Sequence, residues 1–319
     1  MRPAAYGQPS DPHPFHVCSE STIMTTAKPF PPALRDWVAD RLPGVDAYED
    51  RSWPRSTSRV WHVSAGTQNA YVKISPSALD FEREVAGYGF AAAHLSETQA
   101  PRLLASNPDL SALLSSALPG RVVRDLPLER GVELRLYEDA GRLLRRWHDA
   151  SAPGTSADRA AVRSDMEDQA REAADCLRDV TPHLAADRLA LVEASSQELP
   201  GLAEQLPLVY RHGDYETRNW LYDESTGAHG LIDFATATHG VAASEFVWLL
   251  GAVWSVRPEL REAFFTGYGR PLTDVEDRLL HLLTVRLGVS YLRTGLTKEL
   301  DELVARGHLV LDRMAADQP

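Results

Sequence analysis

A polar loop between two short apolar runs constrains the fold of this chain more than any other feature of its sequence. Residues 208–210 and 220–222 have the composition of short β-strands, and the loop between them carries Asp214 and Asn219. A loop that strands hold at both ends projects its polar side chains toward one point. The pattern therefore predicts a polar centre on a loop held between strands.

The residue types in this loop are those that phosphoryl transfer requires. His212 and Asp214 precede Asn219, and Asp233 follows in a run predicted as a strand at 231–234. In kinase-type chemistry the first aspartate accepts or orients the proton of the acceptor hydroxyl, while the asparagine and second aspartate hold Mg²⁺ against the phosphates. A chance His-x-Asp-x₄-Asn is expected on the order of once in a hundred such chains. Asp214 is thus the candidate base, Asn219 and Asp233 are candidate metal ligands, and His212 is predicted to brace the loop.

The scarcity of lysine singles out Lys73. Only three of the 33 lysine and arginine residues are lysines, and Lys73 lies in a strand predicted at 70–74. Lysine is a compact point charge that can reach between phosphates. The helix predicted at 79–91 has Phe81, Val85 and Tyr88 on its apolar face, and a rotation of about 100° per residue places Glu84 nearer that face than Glu82. Glu84 is therefore the predicted partner of Lys73.

The length of the chain allows two lobes with separate cores. Residues 1–30 are rich in Pro, Ser, Thr and His and are predicted to form a disordered tail. A strand pair is predicted at 59–74, and the preceding segment 52–58 occupies the position of a phosphate-covering loop. A Pro-Gly break at 119–120 follows an apolar strand and marks a hinge. Helices are predicted at 31–41, 136–148, 159–178, 242–256 and 273–294, the last behind a Thr273-x-x-Glu capping pattern.

The charge and cysteine content limit the classes of partner. A net charge of −12 argues against nucleic acid or an anionic membrane and is compatible with a cationic small molecule, although acidity also serves solubility alone. Cys18 and Cys176 are far apart and no Cys-x-x-Cys occurs, which fits a reducing cytosol. No apolar run approaches the ~18 residues of a membrane span, and no signal-peptide core is present. The expected location is therefore cytoplasmic.

Other motifs in the sequence lack the context they need. Gly87 and Gly89 resemble half of a dinucleotide fingerprint, but they lie within a predicted helix rather than after a strand. No Gly-x₄-Gly-Lys-Ser/Thr loop occurs. A metallohydrolase built on His229, His239 and Asp233 is the remaining alternative, and it leaves the predicted Lys–Glu pair unexplained.

Taken together, these residues resemble the aminoglycoside phosphotransferase family, whose fold is that of eukaryotic protein kinases. The matching signatures cover roughly residues 35–290 and occur in family order. They are Tyr-Val-Lys73, Phe-Glu-Arg-Glu84, Leu-Pro-Gly120, Ala-Gly-Arg-Leu-Leu-Arg-Arg-Trp-His148, the His212 to Leu221 loop and Leu-Ile-Asp233-Phe. The resemblance implies an α+β, bilobal protein-kinase-like fold. A small β-rich N-lobe would span residues 31–118, and a larger, mainly helical C-lobe would span residues 119–319.

The resemblance also implies roles for individual residues. Lys73 would contact the α and β phosphates and pair with Glu84. Asp214 would act as base, and Asn219 and Asp233 would bind Mg²⁺. The adenine-binding hinge would comprise Ser115, Ser116, Ala117 and Leu118.

The chain departs from the family pattern in three places. Glu245 stands where the family usually has an aspartate that supports the catalytic loop. The glycine that follows the metal-binding aspartate of protein kinases is missing, and the segment 52–58 contains no glycine. None of these changes removes a catalytic group, but they leave the choice between ATP and GTP open.

The predicted function is that of an ATP- and Mg²⁺-dependent O-phosphotransferase acting on a small-molecule hydroxyl, with an aminoglycoside or other cationic antibiotic as the first candidate. The alternatives are a metabolite kinase of the choline, homoserine or sugar type and a non-catalytic nucleotide-binding regulator. The expected assembly is a monomer or a homodimer. Six acidic residues after Asp233 are candidates to line a cationic ligand: Glu245, Glu259, Glu262, Asp274, Glu276 and Asp277.

Overall fold

The computed structural model describes residues 28–53, 58–124 and 126–317. Most of the predicted tail and the centre of the predicted phosphate-covering loop, residues 54–57, lie outside these ranges. The described chain has an N-terminal antiparallel sheet followed by a mainly helical region. The predicted α+β fold class is confirmed.

The N-terminal sheet has five antiparallel strands in the order β1-β2-β3-β5-β4. Alternation along β3 buries Ala70 and Val72 on one face and leaves Lys73 on the other. Helix α1, Pro32–Arg41, and the buried face of the sheet share one apolar cluster. The strands are β1 Ala47–Asp50, β2 Val60–Ala65, β3 Gln68–Ile74, β4 Leu103–Asn107 and β5 Ala112–Ser116.

Helix α2, Ala78–His94, connects this sheet to the rest of the molecule. It begins at Ser77, whose hydroxyl accepts the Asp80 N–H at 3.1 Å. Its buried face carries Glu84, whereas Phe81, predicted to lie on the apolar face, is only half-buried. The difference arises because α2 also packs against the loop that carries Asp233, and that contact selects which face is covered.

The C-terminal region surrounds two small sheets with helices. One sheet pairs β7, Leu208–Arg211, with β10, Thr238–Val241, and the other has the order β6-β8-β9. The latter strands are β6 Arg121–Val122, β8 Trp220–Asp223 and β9 Ala228–Leu231. The helices are α3 Arg130–Asp149, α4 Ser156–Val180, α5 Ala186–Glu204, α6 Val247–Leu249, α7 Pro258–Tyr268, α8 Asp274–Lys298 and α9 Asp301–Ala316.

Two sequence predictions in this region need correction, and a third is confirmed. The strand predicted at 231–234 lies instead at Ala228–Leu231, so that Asp233 belongs to the following loop. The single helix predicted at 242–256 is a 3₁₀ turn, Ala242–Phe246, then α6, then a π-type turn, Leu250–Trp254. The Thr273 capping box at the start of α8 is present as predicted.

Helix α3 crosses the centre of the C-terminal core. Its Gly141 packs against the backbone of α7, and Trp147 stacks on Phe234 with ring centroids 5.6 Å apart. The apolar side of α3 therefore supports the loop that follows β9. In the part of the chain that the structure describes, no helix is long and apolar enough to cross a membrane.

Candidate active site

Three charged side chains meet between the N-terminal sheet and the C-terminal region. The Lys73 Nζ donates to Glu84 Oε1 at 3.0 Å and to Asp233 Oδ1 at 2.7 Å. Lys73 comes from β3, Glu84 from α2 and Asp233 from the loop after β9. The contact predicted between Lys73 and Glu84 is thus formed, and Lys73 is also the link to the predicted metal-binding loop.

The pKa values of these groups follow from burial and charge. Burial alone would lower the pKa of Lys73, but Asp233 and Glu84 overcome it and raise that pKa above its ordinary value. Burial opposes ionisation of Asp233, yet Lys73 holds its pKa below the ordinary range. Burial raises the pKa of Glu84 to about 7 against the attraction of Lys73. Lys73 and Asp233 are therefore charged at neutral pH, while Glu84 titrates near it.

This pKa shift predicts a pH-dependent stability contribution from Glu84. A carboxyl whose folded-state pKa is raised from 4.5 to about 7 stabilises the fold below the unfolded value. That contribution is lost as the pH rises through about 7. We expect the Tm of Glu84→Gln, relative to wild type, to rise between about pH 5 and about pH 8. Thermal unfolding of both proteins across this pH range measures the difference in Tm. Glu82→Gln, exposed on the same helix, is the control; a pH-independent difference for Glu84→Gln would contradict the prediction.

The loop after β9 holds Asp233 in an unusual backbone conformation. Asp233 has a φ of 68°, in the left-handed region that few residues other than Gly, Asn and Asp occupy. The preceding Ile232 N–H donates to the Asn219 carbonyl at 3.0 Å, and Phe234 is fully buried. The chain thus leaves the sheet at Leu231 and turns sharply, which directs the Asp233 carboxylate toward Lys73.

Close packing of α2 against this loop depends on a glycine. A Cβ at Gly87 would lie 2.5 Å from the Phe234 Cβ, and the adjacent Tyr88 ring packs edge-on against Phe234 at 5.1 Å. Any side chain at Gly87 would therefore separate α2 from the loop that carries Asp233.

This contact gives a prediction with a matched control on the same helix. We expect Gly87→Ala to destabilise the fold by about 1–3 kcal/mol, because the added methyl overlaps a buried side chain, and to reduce activity by displacing Asp233. A Cβ at the exposed Gly89 meets nothing within 4 Å, so Gly89→Ala should be neutral or stabilising by up to about 1 kcal/mol. Urea unfolding of the two variants tests both; equal stability of Gly87→Ala and Gly89→Ala would show that the contact is dispensable.

The loop between β7 and β8 is braced by His212 and Glu245. The His212 Nε2–H donates to the Ile232 carbonyl at 3.1 Å, and its Nδ1 accepts the Asp214 N–H at 3.3 Å. The buried Glu245 carboxylate accepts the backbone N–H of His212 at 2.5 Å and of Gly213 at 3.0 Å. His212 therefore has the bracing position predicted from the sequence, and Glu245 supports the backbone of the loop.

Asp214 lies at the centre of this loop with both carboxylate oxygens hydrogen-bonded. The Arg218 Nη2 donates to Oδ1 and Oδ2 at 2.8 Å each, and the Asn219 Nδ2 donates to Oδ2 at 2.7 Å. Burial alone would raise the pKa of Asp214, but Arg218 lowers it below the ordinary value. Asp214 is therefore ionised at neutral pH and can accept a hydrogen bond from a hydroxyl.

The donor set fits a magnesium ion. Asn219 Nδ2 donates both to the Asp214 carbonyl at 2.9 Å and to its carboxylate. Both partners are acceptors, which fixes the amide orientation and directs the Asn219 oxygen away from them. That oxygen and the Asp233 carboxylate are hard ligands of the kind Mg²⁺ prefers when phosphates and water supply the rest. No group of three or more His, Cys, Asp or Glu that could hold a metal alone occurs among the described residues.

The predicted hinge comprises the last two residues of β5, Ser115 and Ser116, and the two residues that follow it. Ser115 is buried with its hydroxyl in hydrogen-bonding reach of Tyr88. The Ser116 N–H donates to the Arg102 carbonyl at 2.8 Å, and the Ala117 N–H to the Asn69 carbonyl at 3.1 Å. Leu118 packs so closely on Gly230 that any side chain there would overlap it. Residues 115–118 therefore pack the end of the N-terminal sheet against the β8–β9 hairpin.

The structure removes two buried residues, Glu245 and Glu276, from the set suggested for a cationic ligand. Glu245 is buried under the loop between β7 and β8, and Glu276 is buried in the α8 capping box with Arg270. Glu259 pairs with Arg257, and Asp277 with Arg261, but both carboxylates are partly exposed. Glu259, Glu262, Asp274 and Asp277 remain candidates.

Three residues that were not predicted from the sequence, Arg218, Glu216 and Arg124, form an ion-pair network with Asp214. Arg218 and Glu216 could have been identified from the sequence, because both lie between His212 and Asn219 in the predicted phosphotransfer motif. Arg218 lies four residues after the candidate base, and the turn of the chain between them brings the two side chains together. Arg124 comes from a distant segment and had no local signal.

A model of the phosphotransferase enzyme family matches residues 53–281, which is more than half of the chain. No curated protein sequence matches the chain.

Solved structures with this fold include several antibiotic kinases. The streptomycin–ATP ternary complex of APH(2")-IIa matches with 14% identity and a TM-score of 0.62, covering 89% of this chain and 99% of that one. The GDP complex of aminoglycoside 2'-phosphotransferase-IIIa has the same identity and TM-score and covers 89% and 98%. The macrolide 2'-phosphotransferase MphH of Brachybacterium faecium matches with 16% identity and a TM-score of 0.55, covering 90% and 97%. These similarities establish a kinase-like fold.

Proposed function

Because this chain belongs to the phosphotransferase enzyme family, we propose that it transfers the terminal phosphoryl group of a magnesium-bound nucleoside triphosphate to a hydroxyl of a small molecule. An antibiotic is the first candidate for this acceptor. The observation that carries the proposal is the position of Lys73. Its ammonium contacts both Glu84 and Asp233 at 3.0 Å or less. A lysine held in this way can contact the phosphates of a nucleotide while it remains next to Asp233, the predicted metal ligand.

The proposed nucleotide site lies between residues 31–118 and residues 119–319. Ser115 to Leu118 would contact the base, and Lys73 would bind the α and β phosphates. Asn219 and Asp233 would hold Mg²⁺, which neutralises charge on the phosphates and fixes their direction. ATP is the first candidate nucleotide and GTP the second, because both an ATP and a GDP complex occur among proteins of this fold.

In the proposed mechanism Asp214 orients the acceptor hydroxyl and accepts its proton as the hydroxyl oxygen bonds to the γ-phosphorus. The bond from that phosphorus to the bridging oxygen breaks, and the nucleoside diphosphate leaves. The low pKa of Asp214 keeps the carboxylate ionised at neutral pH, so it accepts a hydrogen bond from the hydroxyl before transfer. Lys73 keeps the phosphates in place, and the loop braced by His212 and Glu245 keeps Asp214 fixed. Positioning of this kind is the main contribution that proteins make to phosphoryl transfer.

The experiment that tests this function is mass spectrometry of acceptor panels incubated with Mg-ATP or Mg-GTP. The panel comprises aminoglycosides, macrolides, basic peptide antibiotics, nucleoside antibiotics and hydroxylated metabolites such as choline, homoserine and sugars. We expect a phosphoryl mass gain on an antibiotic with wild type and, at the same reaction time, less than about one hundredth of that gain with Asp214→Asn. A gain only on a metabolite would replace the antibiotic assignment, and nucleotide binding without any gain would favour a non-catalytic regulator.

A further inference from the structure

The candidate base Asp214 is contacted by an arginine from its own loop. Arg218 Nη2 bridges both carboxylate oxygens at 2.8 Å, while Asn219 adds a bond of 2.7 Å to Oδ2 alone. Glu216 is a further side-chain hydrogen-bond partner of the same carboxylate. Together these contacts fix the orientation of the Asp214 carboxylate.

Arg218 is itself held by a buried carboxylate. Its Nη2 lies 2.8 Å from Glu216 Oε1, and Arg124 binds the other oxygen of Glu216. Glu216 is only 1% exposed, and burial raises its pKa to about 8, with the nearby Asp214 adding to the shift and Arg218 opposing it. The Arg124 guanidinium in turn lies 5.3 Å from the centre of the Trp248 ring. Asp214, Arg218, Glu216 and Arg124 therefore form one chain of polar contacts that extends to α6.

We propose that Arg218 is a positioning residue for the reaction: it fixes the orientation of the Asp214 carboxylate toward the acceptor hydroxyl, and Glu216 and Arg124 hold Arg218 in place. This inference rests on the proposed phosphotransfer. Without Arg218, Asp214 loses the donor that bridges its two oxygens, and its carboxylate would rotate away from this orientation. Arg218 thus acts through Asp214 rather than on the substrate.

A double-mutant cycle between Arg218 and Asp214 tests this coupling, with acceptor and nucleotide chosen from the panel. We expect Arg218→Ala to lower kcat by about 10–100-fold, the range for a misplaced catalytic group, with the nucleotide KM changed by less than about twofold. In the Asp214→Asn background the same substitution should change kcat by less than about threefold. Arg218→Lys, which can offer one nitrogen to both oxygens, should recover part of the loss. Arg142→Ala, in an exposed ion pair with Glu138, is the matched control.

The inference is overturned if the loss of kcat in the double variant equals the product of the losses in the two single variants. That result would show that Arg218 acts independently of Asp214. Wild-type kcat for Arg218→Ala would overturn it as well. Failure of the proposed function is a separate result, seen as no phosphoryl gain with wild type. In that case thermal unfolding of the same four proteins still decides whether Arg218 holds Asp214. The drop in Tm caused by Arg218→Ala should be smaller by about 2 °C in the Asp214→Asn background, and equal drops would overturn the inference.

Discussion

Asp214→Asn is expected to lower kcat by about 10²–10⁴-fold, the usual contribution of a positioned acid or base. Asparagine has nearly the same shape as aspartate but carries no charge and accepts a proton poorly. It also weakens the contacts with Arg218 and Asn219, which both donate to the carboxylate. Nucleotide affinity should change by less than about twofold, because Asp214 has no role in the proposed nucleotide site.

Steady-state kinetics with an acceptor from the panel, together with nucleotide titration by calorimetry, measure both quantities. Asp109→Asn is a suitable control, since Asp109 is an exposed aspartate in the turn between β4 and β5. Near wild-type turnover of Asp214→Asn would remove Asp214 from the role of base. A parallel loss of nucleotide binding would instead indicate that the substitution disturbs the whole loop.

Asp233→Asn is expected to lower kcat by about 10³-fold, since loss of a metal ligand removes several kcal/mol of transition-state stabilisation. The substitution is chosen because asparagine, like aspartate, tolerates the left-handed backbone at φ 68°. The fold should therefore persist, while Lys73 loses one of its two carboxylate partners. Asp233→Ala would add backbone strain and so mix two effects.

Magnesium dependence separates this variant from Asp214→Asn. For Asp233→Asn the Mg²⁺ concentration at half-maximal activity should rise at least about tenfold, whereas for Asp214→Asn it should stay at the wild-type value. Initial rates across a magnesium titration at saturating nucleotide provide the measurement. An unchanged magnesium requirement for Asp233→Asn would mean that the ion is held elsewhere.

The roles expected of Asp214 and Asp233 follow from the amino-acid sequence alone, because they depend on local patterns. The apolar runs at 208–211 and 220–223 indicate strands through their own composition, and the polar residues between them indicate a loop. The same holds for the alternation that places Lys73 opposite the buried face of β3 and for the Thr273 capping box. In each case the signal lies within a few consecutive residues, so the pattern carries the information.

Other features depended on contacts between distant parts of the chain. Glu84 was identified as inward-facing from helical periodicity, but periodicity could not show that Phe81 on the same helix would stay half-buried. The face that α2 buries is selected by Phe234, which contacts it only in the folded molecule. Likewise, the apolar run at 231–234 predicts a strand, yet the chain leaves the sheet after Leu231.

The sequence by itself indicated the phosphotransferase family, the strand–loop–strand frame of Asp214 and Asn219, and the pairing of Lys73 with Glu84. Only the tertiary structure decided the rest. It brought Asp233 into contact with Lys73, 160 residues away in the sequence, directed Glu245 to the backbone of the loop between β7 and β8, and joined Arg218 to Arg124 through Glu216. The physical reason is that local patterns specify single elements, whereas a buried charge must find its partner wherever packing brings one within reach.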